Sequence, residues 1–99
     1  MPRFIPLPGE YLADELEYRK ISQRQFAKII GKTPTEVNDI IKGRKSINAD
    51  FAMRFSAAFG TTPELWLNLQ NAYDIYQLRK LKEKKTAFAA IKKRSLVFA

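Results

Sequence analysis

Apolar positions recur along this chain three and four residues apart, and each run is bounded by residues that start or stop helices. In EYLADELEYRK, after Gly9, Leu12 and Leu16 share one face, while Glu15 and Lys20 are near neighbours on the outer one. Ser22 opens S-Q-R-Q, a capping box in which Gln25 reaches back to the cap amide. Phe26, Ala27, Ile29 and Ile30 are the expected buried stripe of this second helix, and Gly31 its stop. Thr33 then opens T-P-T-E, which joins a good cap, a proline suited to the first helical position and Glu36 to complete the box. Val37, Ile40 and Ile41 mark the inner face of the third helix, which Gly43 ends. After the polar link RKSI, Asn48 caps a fourth helix carrying Phe51, Ala52, Phe55, Ala58 and Phe59, closed at Gly60. Thr62-Pro63-Glu64 starts a fifth, running through Leu65, Leu69, Ala72 and Tyr76. Pro6 and Pro8 keep the N-terminal arm extended, and only SLVFA at the other end has strand-like composition. The pattern predicts an all-α domain of five helices with no solenoid repeat.

Composition narrows the chemistry. Ninety-nine residues make one small domain, and 45% apolar residues with 12% aromatics can build its core. With no Cys there are no disulfides, thiolate–metal sites or thiol nucleophiles, and with no His the commonest metal ligand and general base are gone. A Ser or Thr nucleophile would need another activating base, and no such constellation is visible. Asp14, Glu15 and Glu17 scatter over the outside of one helix, so neither a metal site nor a cofactor is expected. No apolar run approaches the ~18 residues of a membrane span, and MPRFIPLPGE lacks the layout of a secretory signal. These features predict a cytoplasmic binding module rather than an enzyme.

Charge changes the picture further. The net charge of +8 is concentrated in two zones. Residues 19–45 hold eight bases against two acids, and residues 79–99 hold eight bases against Glu83 alone. Residues 1–18 and 46–78 are mildly acidic. Two basic zones point to a polyanionic partner, or else to solubilised faces.

The segment from Ser22 to Gly43, SQRQFAKIIGKTPTEVNDIIKG, has two short helices joined at a glycine turn, with Ala27 small enough for a close crossing. One helix of such a pair braces the phosphate backbone while the next lies in the major groove. The segment resembles the Cro/C1 (XRE)-type helix-turn-helix, whose pattern Gln23, Phe26-Ala27, Gly31, Val37, Ile40 and Gly43 match. PGEYLADELEYRKIS resembles the PGE-x-L-x-E-L opening helix of the HigA antitoxins, also called virulence-associated protein I. FGTTPELWLNLQNAYDI resembles their SPEFWLNLQ-x-x-YDL signature. Together these blocks cover about residues 7–76. The resemblance implies a Cro/repressor-like domain over residues 1–78, with its motif at 22–43, and a basic C-terminal tail over 79–99 lies beyond the resemblance. It also implies a homodimeric repressor of its own operon that neutralises a small RNase toxin. A stand-alone repressor, or an adaptor that has lost DNA binding, remain alternatives at this level.

Gln23, at a helix start, is placed to clamp a phosphate, or is an ordinary helix-starting glutamine. Thr33, Thr35, Glu36, Asn38, Asp39 and Lys42 point outward from the third helix. Thr35 and Asn38 are the best base readers, since Asn bonds adenine bidentately and the Thr methyl meets a thymine methyl. Glu36 either accepts from cytosine or serves only as Thr33's capping partner, and Asp39 faces phosphates awkwardly. Pro34 removes the glutamine often found there in this fold. Arg44, Lys45 and Ser46 are expected phosphate contacts where the chain passes the backbone again. Trp66 reads as core, while Leu69, Tyr73 and Tyr76 are either core or the surface that meets a symmetry mate. The tail, LRKLKEKKTAFAAIKKRSLVFA, has three readings: a frayed continuation of the fifth helix, a non-specific phosphate contact, or a segment that orders against a partner protein.

Overall fold

A computed structural model describes residues 7–97 and contains six helices in chain order: α1 (Pro8–Arg19), α2 (Gln23–Ile30), α3 (Pro34–Ile41), α4 (Ala49–Phe59), α5 (Pro63–Lys80) and α6 (Lys82–Lys93). The expectations for Pro6 and for the last two residues of SLVFA fall outside the described residues, among which no strand occurs.

The punctuation works locally as the spacing predicts. The Ser22 hydroxyl accepts the Gln25 amide at 3.0 Å while the Gln25 side chain accepts the Ser22 amide at 2.9 Å. Thr33 and Glu36 form the same reciprocal box at the head of α3. Asn48 and Thr62 cap α4 and α5 through the amides of Phe51 and Leu65. Gly31 takes φ 73° at the turn between α2 and α3, a left-handed conformation that side chains rarely adopt.

Four aromatic rings organise the core. Phe26 from α2, Phe51 and Phe55 from α4 and Trp66 from α5 are almost wholly buried, with Leu12, Val37 and Ile40 closing the space around them. Phe55 meets Trp66 edge-on at 5.0 Å, and Phe26 stacks on Phe59 at 5.0 Å. The buried indole is satisfied, its Nε1 donating to the Thr61 hydroxyl at 3.0 Å. Helix α1 packs on both α3 and α5. Its first turn comes so close to the end of α3 that a Cβ on Gly9 would collide with the Ile40 and Ile41 carbonyls. Only glycine permits this close backbone approach of α1 to the end of α3.

Some expectations need correction. Ile29 is exposed, because it lies one residue round the helix from Ile30 and faces a shallow cleft with Arg54, Ala57 and Ala58. Ala58 is likewise exposed, and Ser56 takes its place on the inner stripe of α4. Glu15 pairs with Arg19 at 3.1 Å, since Lys20 has already turned into the left-handed residue that ends α1. In the C-terminal part, α5 runs through residues 78 and 79 to Lys80, and extended dihedrals at Leu81 separate it from α6. The tail therefore contains a helix of its own. Its substantial contacts are with α5, and none of its residues is buried. The radius of gyration is 16.8 Å against about 13 Å for a compact chain this long, so the C-terminal helices extend away from the body.

Candidate nucleic-acid interface

The two capped helices α2 and α3 present one surface. Val37 and Ile40 turn inward, which leaves Thr35, Asn38, Asp39 and Lys42 on the opposite face of α3 at helical spacing. Thr33, Thr35 and Lys42 are exposed there, and Asn38 and Asp39 are half-buried.

Asn38 is held from both sides on this face. Its Nδ2 donates to Gln23 Oε1 at 3.1 Å, and its Oδ1 accepts from Arg44 Nη2 at 3.0 Å. These two bonds fix the orientation of the amide. One N–H and one lone pair stay free, the pair that an adenine edge takes. Gln23 thus holds Asn38 in addition to standing at the head of α2.

Asp39 carries no loose negative charge toward a phosphate. Its carboxylate accepts from Arg44 Nε at 3.1 Å, and its carbonyl accepts the amides of Arg44 and Lys45 at 2.8 and 3.2 Å. The side chain and backbone of one acid therefore fold the loop after α3 back onto the helix, with Lys45 and Ser46 exposed beyond it. Glu36 sits on the flank of α3. Its carboxylate accepts the Thr33 amide and hydroxyl, at 3.3 and 3.1 Å, and these bonds, with Lys32 and Lys45 nearby, hold its pKa below the usual carboxylate range.

The fold that carries this surface is similar to that of other proteins. The helix-turn-helix family model matches residues 12–66. The chain is similar to antitoxin HigA-1 of Vibrio cholerae, 35% identical over 81 residues that make up 81% of this chain and 76% of that protein. The chain belongs to the HigA family of helix-turn-helix antitoxins. Its fold is similar to that of a HigA-family addiction-module antidote protein from Coxiella burnetii, with a TM-score of 0.79 and 40% identity over 97% of this chain and all (100%) of that one. It is also similar to the Pseudomonas aeruginosa antitoxin HigA, solved with the higBA promoter, with a TM-score of 0.70 and 34% identity over 92% and 90% of the two chains.

Two residues of this HigA-family chain that support the surface give little signal in sequence. Gln70 is buried on the inner side of α5, where its Oε1 accepts the Ile47 amide at 2.9 Å and its Nε2 donates to Asp74 at 2.9 Å. It latches the end of the loop that carries Arg44, Lys45 and Ser46, and the only hint is its i+4 spacing from Trp66. Lys32, in the turn between α2 and α3, lies 3.2 Å from Asp50 and 4.9 Å above the Phe51 ring. It ties the motif to α4, a partner too distant in sequence to be foreseen.

The aromatic stripe of α5 divides. Trp66 is core, as expected, and Leu69 packs against the core from a half-buried position. Tyr73 is half-buried beside Lys45 and Ser46 in a cleft of about 240 Å³, with its hydroxyl accepting from Gln77 at 2.6 Å. Tyr76 is half-buried with Lys80 above its ring, while Ile75 and Leu78 are the large apolar side chains that this end of α5 exposes.

Proposed function

We propose that this chain is the DNA-binding antitoxin of a toxin–antitoxin pair, a homodimer that represses its own operon and neutralises a small RNase toxin. The observation that carries the DNA-binding part is the Gln23–Asn38–Arg44 network, which holds one amide ready at the centre of the exposed face of α3. Asn38 and Thr35 read bases, while Gln23, Thr33, Lys42, Arg44, Lys45 and Ser46 contact phosphates around them. Glu36 and Asp39 act inside the protein, as a cap and as a holder of Arg44. Family membership supports the toxin partner, and the promoter-bound relative supports the operator. The dimer forms through the second half of α5, where Ile75 and Leu78 stand exposed beside Tyr73 and Tyr76, with Leu69 at the edge. It works in the cytoplasm by binding alone, with no catalytic step and no cofactor.

Fluorescence anisotropy against the duplex upstream of its own reading frame and a scrambled duplex tests this reading. The native duplex is expected to win by ~10³-fold or more. Asn38→Ala should cost about 1–3 kcal/mol and relax preference at one base pair, whereas Lys45→Ala should weaken both duplexes alike. Equal affinity for the two duplexes would favour an adaptor that has lost sequence reading. Co-purification with the product of an adjacent small reading frame separates an antitoxin from a stand-alone repressor.

A further inference from the structure

Helix α6 contributes nothing to the core, yet it is the most strongly charged element of the chain. It carries Lys82, Lys84, Lys85, Lys92 and Lys93, with Arg94 at its end and Glu83 as the one acid between them. None of the ion pairs among the described residues involves it. Lys82, Lys85, Lys92 and Lys93 fall on one stripe about 100° wide. Packing five like charges on a 12-residue helix costs stability in isolation, and a line of phosphates reverses that cost by releasing counterions.

The helix it continues from, α5, holds the DNA-facing loop. Gln70 holds the Ile47 amide, and Tyr73 and Asp74 share a cleft with Lys45 and Ser46. From Asp74, α5 continues to Lys80, a rise of about 9 Å, and α6 follows after the single extended residue Leu81. The basic helix thus begins about two helical turns along α5 from the residues that meet the loop, and its ~18 Å length matches a run of several phosphates. The apolar side of α6 does not suit a bilayer, because Lys84 lies between Phe88 and Ile91 on the helix surface and interrupts the stripe.

We propose that α6 is a second DNA-contacting element, whose lysine face grips duplex phosphates outside the base pairs read by α3 and without sequence preference. This rests on the repressor reading above and adds to it a source of affinity separate from the source of specificity.

The test compares the full-length protein with K82Q/K85Q/K92Q/K93Q, measuring anisotropy on the native and scrambled duplexes over a range of salt concentrations. Glutamine is a good helix former and these positions are exposed, so an unchanged circular dichroism melt is expected. The log–log salt slope should become shallower by about two to four units, at ~0.9 per phosphate lost, equally on both duplexes, with the native-to-scrambled ratio preserved. The corresponding Lys→Arg variant should restore the slope. Coincident slopes for wild type and the Gln variant would overturn the proposal, and wild-type binding to anionic vesicles in that case would assign the helix to membranes. If neither protein distinguishes the two duplexes, the repressor reading fails instead, and the slope difference still decides whether α6 touches phosphates.

Discussion

Helix α5 passes from the inside of the domain to its outside within 18 residues. Its first half encloses Trp66 completely and buries Gln70, whereas its second half leaves Ile75 48% and Leu78 40% exposed. Helix α6 carries this further, with Phe88 47% and Ile91 61% exposed. Both regions place large apolar residues at helical spacing, so spacing does not separate them. What separates them is the element across the gap. Trp66 meets Phe55, Phe59 and Tyr11 from two other helices, while the end of α5 and α6 have mainly each other. A folded body therefore carries a projecting arm whose apolar side chains and cations both stand exposed.

The sharpest way to break this comparison is to truncate one phenylalanine on each side of it. Phe55→Ala should destabilise the body by about 3–5 kcal/mol in urea unfolding, while Phe88→Ala should stay within about 0.5 kcal/mol. A loss at Phe88 as large as that at Phe55 would mean that α6 belongs to the folding unit.

A smaller effect links the body to the reading face. Gly9→Ala would drive a Cβ into the carbonyls at the end of α3, and overpacking of this kind costs about 1–3 kcal/mol. Because relief requires α1 or α3 to move, operator affinity should fall at temperatures where the variant is still folded. Scrambled-duplex affinity should fall less. Loss of stability with unchanged operator preference would show that α1 holds up the fold without setting the recognition helix.

The smallest effect is acid dependence, and it also belongs to the body. Glu36 is held below its ordinary pKa by hydrogen bonds from Thr33, and Asp50 by its bonds to Arg54 and then Lys32. Both pKa values are depressed in the folded chain. The stability these carboxylates confer is therefore fully present above their unfolded values and is lost as the pH falls through the folded ones. The urea midpoint should decline between about pH 5 and pH 3. Glu36→Gln keeps a capping side chain but does not titrate, so it should flatten part of that decline. A decline unchanged in Glu36→Gln would place the sensitive carboxylate elsewhere.

Much of the chain was legible before folding because its signals are local. A serine or threonine cap, a proline at the first helical position and a Glu or Gln three residues on satisfy amides within one turn. The beginnings of α2 to α5 therefore followed from neighbouring residues alone, as did the candidate reading face, since a helix of known phase with Val37 and Ile40 inward must turn Asn38 and Lys42 outward. Ile29 and Ala58 were misread because an apolar residue at the edge of a stripe is buried only if the adjoining helix leans over it, and here α2 and α4 part around a shallow cleft.

The sequence by itself determined helices α1 to α5, the caps of α2 to α5 and the chemical character of their faces, because those depend on contacts within about four residues. Tertiary structure alone decided which groups on those faces are held and which are free. Asn38 is oriented by Gln23, fifteen residues away, Ile47 is latched by Gln70, twenty-three residues away, and Gly9 is required by a carbonyl on another helix. Hydrogen bonds and steric contacts act over only a few ångströms, so these partners exist only once packing has brought distant segments together.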